Sequence, residues 1–161
     1  MISIFIPAFL AAAQPAAAAP PEFRPDLFFA GRTRGRGTVT IATSSRPRVL
    51  EVEGEGRIEP GGALVLDQAV RLDGKPSRRS FRISRAADGT WQGTLSDAAG
   101  PVAASVAGDT LRLSYRMKRA GLRMNQTLTL QPGGRTLLNR AQVTMLGVPV
   151  ARIGEIIEKL D

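Results

Sequence analysis

From Leu50 onward, apolar and polar residues alternate one by one in short runs, and each run ends at a glycine- or proline-rich turn. This period of two constrains the chain more than any other feature, because only an extended strand sends successive side chains to opposite faces. Leu50, Val52, Gly54, Gly56 and Ile58 share one face, with Glu51, Glu53, Glu55 and Arg57 on the other. Glu59-Pro60-Gly61-Gly62 then turns the chain into Leu64, Leu66, Gln68, Val70 and Leu72, set against Asp67 and Arg71. The two runs read as a hairpin. Asp73-Gly74-Lys75-Pro76 leads into Arg79, Phe81 and Ile83, opposite Arg78, Arg82 and Ser84, and Ala87-Asp88-Gly89 into Trp91, Gly93 and Leu95.

The pattern continues through Val102, Ala104 and Val106, past Gly108-Asp109, to Leu111, Leu113, Tyr115 and Met117, backed by Arg112, Ser114, Arg116 and Lys118. Met124, Gln126, Leu128 and Leu130 follow, then Pro132-Gly133-Gly134, then Leu137, Asn139, Ala141, Val143 and Met145. With an opening strand around 32–41, nine strands are expected. Ile153, Ile156, Ile157 and Leu160 are spaced three, four and seven apart, so the tail is expected to form a short amphipathic helix. So many sequential, half-buried strands must hide their edges. The expected fold is therefore all-β, an antiparallel up-and-down barrel of about 8–10 strands with a short C-terminal helix. A two-sheet sandwich competes, since alternation does not separate one enclosed interior from another. An outer-membrane barrel fits less well, because the outward faces carry Arg, Glu and Lys in place of a lipid-facing apolar band.

Residues 1–21 carry no charged side chain, and Ile2 to Leu10 leads into an Ala-rich stretch. This reads as a signal peptide over 1–19, cleaved between Ala13 and Ala19, although the usual basic segment is missing. Pro7, Pro15, Pro20 and Pro21 argue against a membrane anchor. A linker over 20–25 and a barrel domain over 26–161 complete the expected organisation, with the mature protein in the periplasm. There is no His and no Cys, which excludes disulfides, thiol nucleophiles, an imidazole base and His- or Cys-based metal sites. No cofactor or metal is expected, and no catalytic step. The formal charge of +8 lies wholly beyond residue 21.

Several short motifs follow one another in a distinctive order. They are Phe29-Ala30-Gly31 with Gly35-Arg36-Gly37, Leu66-Asp67-Gln68, Arg79-Ser80-Phe81 and Trp91-Gln92-Gly93-Thr94-Leu95. Asp97 to Val102, Leu113-Ser114-Tyr115-Arg116-Met117, and Asn139-Arg140-Ala141 leading to Gly147-Val148 complete the set. In that order they resemble the lipocalin-like envelope proteins grouped as domain of unknown function 3833, from about Asp26 to the C-terminus, and the resemblance implies a fold and an exported, often lipid-anchored, setting. It supplies no catalytic residues. This chain departs from it in lacking the Cys of a lipoprotein and in carrying Val70 and Leu72 where more aromatic inward faces are usual.

Polar residues on inward faces are the most informative positions, because an unpartnered buried polar group costs roughly 1 to 3 kcal/mol. Gln68, Arg79, Gln126 and Asn139 are expected to hold the head of an apolar or amphiphilic small molecule whose chain touches Leu66, Leu128, Trp91 and Tyr115. The competing reading is a filled interior in which these groups bond to one another. A second candidate is the outer surface, where Arg32, Arg34 and Arg36, Arg78 and Arg82, and Arg112 and Arg116 form cationic stripes suited to an anionic membrane surface or a partner protein. Nucleic acid is not an expected partner, since only eight aromatic residues are present. The Gly-rich segments fit bends in a curled sheet better than a phosphate loop. The ladder Glu51, Glu53, Glu55 points outward, where arginines across a strand are its expected partners. Nothing in the spacing supports an acid pair such as Asp67 with Asp97.

Overall fold

A computed structural model describes residues 22–119 and 121–161. The expected signal peptide, 1–19, lies outside them. A short helix, α1 (Pro25–Phe29), precedes ten strands: β1 (Gly31–Ile41), β2 (Arg48–Ile58), β3 (Leu64–Leu72), β4 (Lys75–Arg85), β5 (Trp91–Leu95), β6 (Val102–Ala107), β7 (Thr110–Arg116), β8 (Leu122–Leu130), β9 (Thr136–Met145) and β10 (Val148–Lys159). Each strand pairs antiparallel with the next, and β10 returns to pair with β1, so the meander closes into a barrel rather than a sandwich. Closure gives every strand two neighbours and leaves no exposed edge.

The C-terminal helix expected over Ile153 to Leu160 is corrected: this segment is β10. The four apolar positions satisfy a helical face, but the structure splits them. Ile157 points into the barrel, while its neighbour Ile156 is 51% exposed. Two physical facts favour the strand. Branched Ile side chains suit a pleated surface, and a helix here would leave β1 and β9 without their shared partner. The pairing runs from Thr33 opposite Lys159 to Ile41 opposite Ala151 on one side, and from Val148 opposite Met145 to Glu158 opposite Thr136 on the other.

The helix that does form is N-terminal, with Pro25 in its first turn, where a missing N–H costs nothing. Phe28 and Phe29 are buried, and Phe23 ahead of them is 1% exposed. Their rings meet edge to face, 6.1 Å apart for Phe23 and Phe28 and 5.0 Å for Phe28 and Phe29. Phe23 N–H also donates to Gly108 O at 2.7 Å. Residues 22–25, read from sequence as the end of a linker, thus join the domain and help plug one end of the barrel. Lys159 secures the plug by donating to Phe28 O at 3.0 Å and to Ala30 O, a cation placed on the carbonyls at the end of α1. Around the plug, Leu64, Ile83, Leu111 and Leu137 are almost fully enclosed.

Candidate functional site

Above that apolar floor, the barrel interior carries a belt of polar side chains at mid-height. Asn139 on β9 and Glu155 on β10 are directly opposite in register, and Asn139 Nδ2 donates to Glu155 Oε2 at 2.7 Å. Gln126 on β8 extends the chain, its Nε2 donating to Asn139 Oδ1 at 3.0 Å. Across the barrel, Gln68 and Arg79 are register partners on β3 and β4, and Arg79 Nε donates to Gln68 Oε1 at 2.7 Å. Strand alternation places all five, because each lies at the inward parity of its strand.

Glu155 is 6% exposed, and its Oε1 has no hydrogen-bond partner. Burial holds its carboxyl above the ordinary glutamate range, and the Asn139 hydrogen bond and the positive charge of Arg79 pull the other way. Tyr115 lies on the same interior surface. Burial raises its hydroxyl pKa, opposed by Arg79 and reinforced by Asp97. Glu155 has room because β1 places Gly35 beside it, and a side chain on Gly35 would overlap Oε1.

A void of about 50 Å³ remains at this level. Gln68, Arg79, Tyr115, Gln126, Asn139 and Glu155 line its polar side; Phe29, Leu66, Ile83, Leu111, Leu128 and Ile157 are among its apolar lining. The interior is thus nearly filled, since such a volume holds one or two waters. Of the eight interior residues singled out from sequence, seven line this void, and Trp91 does not. Trp91 is buried on β5, and the Arg85 guanidinium stands 5.7 Å from its ring centroid. Glu155 and Phe29 escaped the sequence reading. A strand reading of the tail would have found Glu155, which sits between Ile153 and Ile157 at their parity.

The surface arginines do not merge into one stripe. Arg32, Arg34 and Arg36 stand opposite Glu55, Glu53 and Glu51 in the register of β1 and β2, although no ion pair joins them among the described residues. Arg32 also reaches Asp161 at 3.8 Å, and Arg82 pairs with Glu59 at 3.0 Å. Arg32, Arg34 and Arg78 share an open groove of about 770 Å³ with Glu53, Glu55 and Asp67, so its charge is mixed. Asp67 is engaged by Arg57 at 2.7 Å, and that hydrogen bond lowers its pKa. Arg112 and Arg116 point outward from β7 and form no ion pair among the described residues. No cluster of acidic side chains among the described residues is suited to a metal ion.

The chain matches the family described as "Protein of unknown function (DUF3833)" over residues 8–159. It belongs to the DUF3833 family. No curated protein matches it. Among solved structures, the barrel is similar to an S-type phycobiliprotein lyase, CPES, from Guillardia theta, with a TM-score of 0.66, 6% identity, and 84% of this chain and 90% of that one covered. It is also similar to Rv2717c from M. tuberculosis, with a TM-score of 0.60, 17% identity, and 86% and 99% covered. Identities this low establish a shared lipocalin-like fold. The expectation of no catalytic step is corrected to this extent: a barrel of the same fold is a phycobiliprotein lyase, so the fold gives no ground for that expectation. Nor is the lack of His and Cys a sufficient ground, because Glu and Tyr side chains can also move protons.

Proposed function

We propose that this DUF3833 barrel binds a small amphiphilic molecule in its interior, with the polar end at the mid-barrel belt and the apolar part toward the phenylalanine-plugged floor. The observation that carries the reading is the unpartnered Oε1 of Glu155, a buried acceptor on a residue that lines the void. A buried carboxylate oxygen without a donor is unfavourable, and a ligand ammonium or hydroxyl would satisfy it. The void accommodates only such a head group. An aliphatic chain would enter by displacing the half-buried Phe81 and Leu95 of the wall. The test titrates the full chain with dodecylamine, using dodecanoate as the opposing probe, followed by native mass spectrometry and thermal unfolding. Dodecylamine should bind and raise Tm, and Glu155→Gln should weaken it by about tenfold. Retention of neither probe would sink the reading, and preference for dodecanoate would move the head-group contact from Glu155 to Arg79.

We further propose that the chain is exported to the periplasm. The support is the uncharged, Ala-rich run over residues 1–21, which has the length and composition of a cleaved signal. Osmotic-shock fractionation with N-terminal sequencing tests it. A mature N-terminus between Ala13 and Pro20 is the expected result, and recovery of uncleaved chain in the cytoplasmic fraction would overturn it.

A further inference from the structure

The turn from β9 to β10 holds a residue that folding alone does not favour. Leu146 and Gly147 both have positive φ, 49° and 84°, the pattern of a two-residue hairpin turn in which Asn-Gly or Asp-Gly is the preferred pair. The β3–β4 turn at the same end of the barrel obeys that preference. Asp73 and Gly74 there hold φ of 49° and 78°, and Asp73 accepts a hydrogen bond from Val49 N–H at 2.8 Å. In the β9–β10 turn, the corresponding left-handed position is a leucine that is 89% exposed. A leucine in this conformation sacrifices backbone stability and gains no burial within the chain. Its neighbours Met145 and Val148 are also exposed, at 45% and 62%, so three apolar side chains stand together at one tip.

The charges around that tip are mostly cationic. The β7–β8 turn lies alongside, with Leu146 N–H donating to Gly121 O at 3.4 Å. It carries Lys118 and Arg119, and Arg116 and Arg123 face each other in the strands that enter it. Arg116, Lys118, Arg123 and Leu146 line one shared depression. None of Arg116, Lys118, Arg119 and Arg123 forms an ion pair among the described residues. Two acids lie at this end. Asp97 is on the adjoining turn, with its carboxylate 3.5 Å from Ser96 Oγ, and Asp73 is 3.9 Å from Arg48. The opposite end carries Glu22, Asp26, Glu59, Asp88, Asp109 and Asp161, and Arg85, Arg24, Arg82 and Arg32 pair with Glu22, Asp26, Glu59 and Asp161, so its charge is largely compensated. The barrel is therefore polarised along its axis, with its exposed apolar tip at the cationic end.

We propose that this tip is a membrane-docking surface. Met145, Leu146 and Val148 enter the headgroup and acyl boundary of an anionic bilayer, and Arg116, Lys118, Arg119 and Arg123 face its phosphates. Apolar side chains ringed by cations are the composition that binds at such a boundary. The same four cations would repel a second copy docking tip to tip. The surface is distinct from the interior void and does not depend on what the interior binds.

The test is sedimentation of the full chain with vesicles of phosphatidylcholine alone and of phosphatidylcholine mixed with phosphatidylglycerol, across a salt series. Leu146→Asn removes the apolar tip and installs a residue that favours the left-handed conformation, so the fold is not weakened. Binding to the anionic vesicles should fall with salt, drop about tenfold in Leu146→Asn, and drop about tenfold or more when Lys118→Gln and Arg119→Gln are combined. Circular dichroism should be unchanged in both variants. Equal binding to both vesicle types, or wild-type binding by Leu146→Asn, would overturn the proposal. So would a tip that binds an acidic soluble protein while ignoring vesicles.

Discussion

Gly35 and Glu155 are complementary across the β1–β10 seam, the absent side chain of one making the space occupied by the carboxylate of the other. A β-carbon on Gly35 would stand 2.9 Å from the Glu155 carboxyl carbon and closer still to Oε1. Gly35→Ala must therefore push a buried carboxylate that is already held by Asn139. It should cost about 1 to 3 kcal/mol in urea unfolding. The control is Gly154→Ala, one residue from Glu155 but facing open space, where nothing lies within 4 Å of the new carbon. That change should be neutral or slightly stabilising, since Gly is a poor strand residue.

Glu155 also makes stability depend on pH with a sign opposite to that of an ion-paired acid. Burial raises its folded-state pKa above the value in the unfolded chain, so between those two values the folded state holds the extra proton. Its contribution to stability is full below the unfolded pKa and is lost as pH rises through the folded pKa. The difference in unfolding free energy between wild type and Glu155→Gln should shift against the wild type as pH climbs above the ordinary glutamate value. A pH-independent difference would show that Glu155 titrates as a solvated carboxyl does.

Strand parity was legible in the sequence wherever alternation stood alone. Leu111, Leu113 and Tyr115 on β7, and Met124 and Leu128 on β8, are all buried as the period of two requires. Asn139 was visible for the same reason, as an amide on an otherwise apolar face. The tail was not legible, because Ile153, Ile156, Ile157 and Leu160 satisfy a helical spacing as well as a strand, and the deciding factor is pairing with β1 and β9 far away in sequence. Reading a helix there hid Glu155, the group that most distinguishes the interior. The phenylalanine plug was hidden for another reason: α1 has five residues, too few to display a period. The placing of Arg34 opposite Glu53 depends on the register of a hairpin, and composition carries no register.

Phe29 closes the floor of the void and should set how much the interior can hold. It is 6% exposed and lines the cavity alongside Leu66 and Ile157. Phe29→Ala should cost about 3 to 5 kcal/mol and leave a larger cavity above the plug. The same variant should take up an apolar fluorescent probe that the wild type excludes, because an apolar cavity of such size remains dry and accepts apolar guests. Loss of stability without uptake would mean that α1 collapses into the space.

Asn139 links Gln126 to Glu155 in the chain of hydrogen bonds across β8, β9 and β10, since it accepts from one and donates to the other. Asn139→Leu keeps the branch at the γ-carbon but strands both neighbours, leaving a half-buried amide and a buried carboxyl without partners. Its cost should be about 3 to 5 kcal/mol, in the range for removing one member of a buried polar pair. Adding Glu155→Leu to that background should recover part of the loss, because the second change removes the unpartnered carboxyl. The two substitutions would then be non-additive by about 1 to 3 kcal/mol in a double-mutant cycle read by chemical unfolding. If the cycle closes additively, the belt is a set of separate contacts, and Glu155 stays buried for a reason other than its bond to Asn139. If it closes with strong coupling and the Leu-Leu variant unfolds as late as the wild type, the belt is dispensable for folding. Retaining polar groups that an apolar interior could replace then points to what the barrel holds.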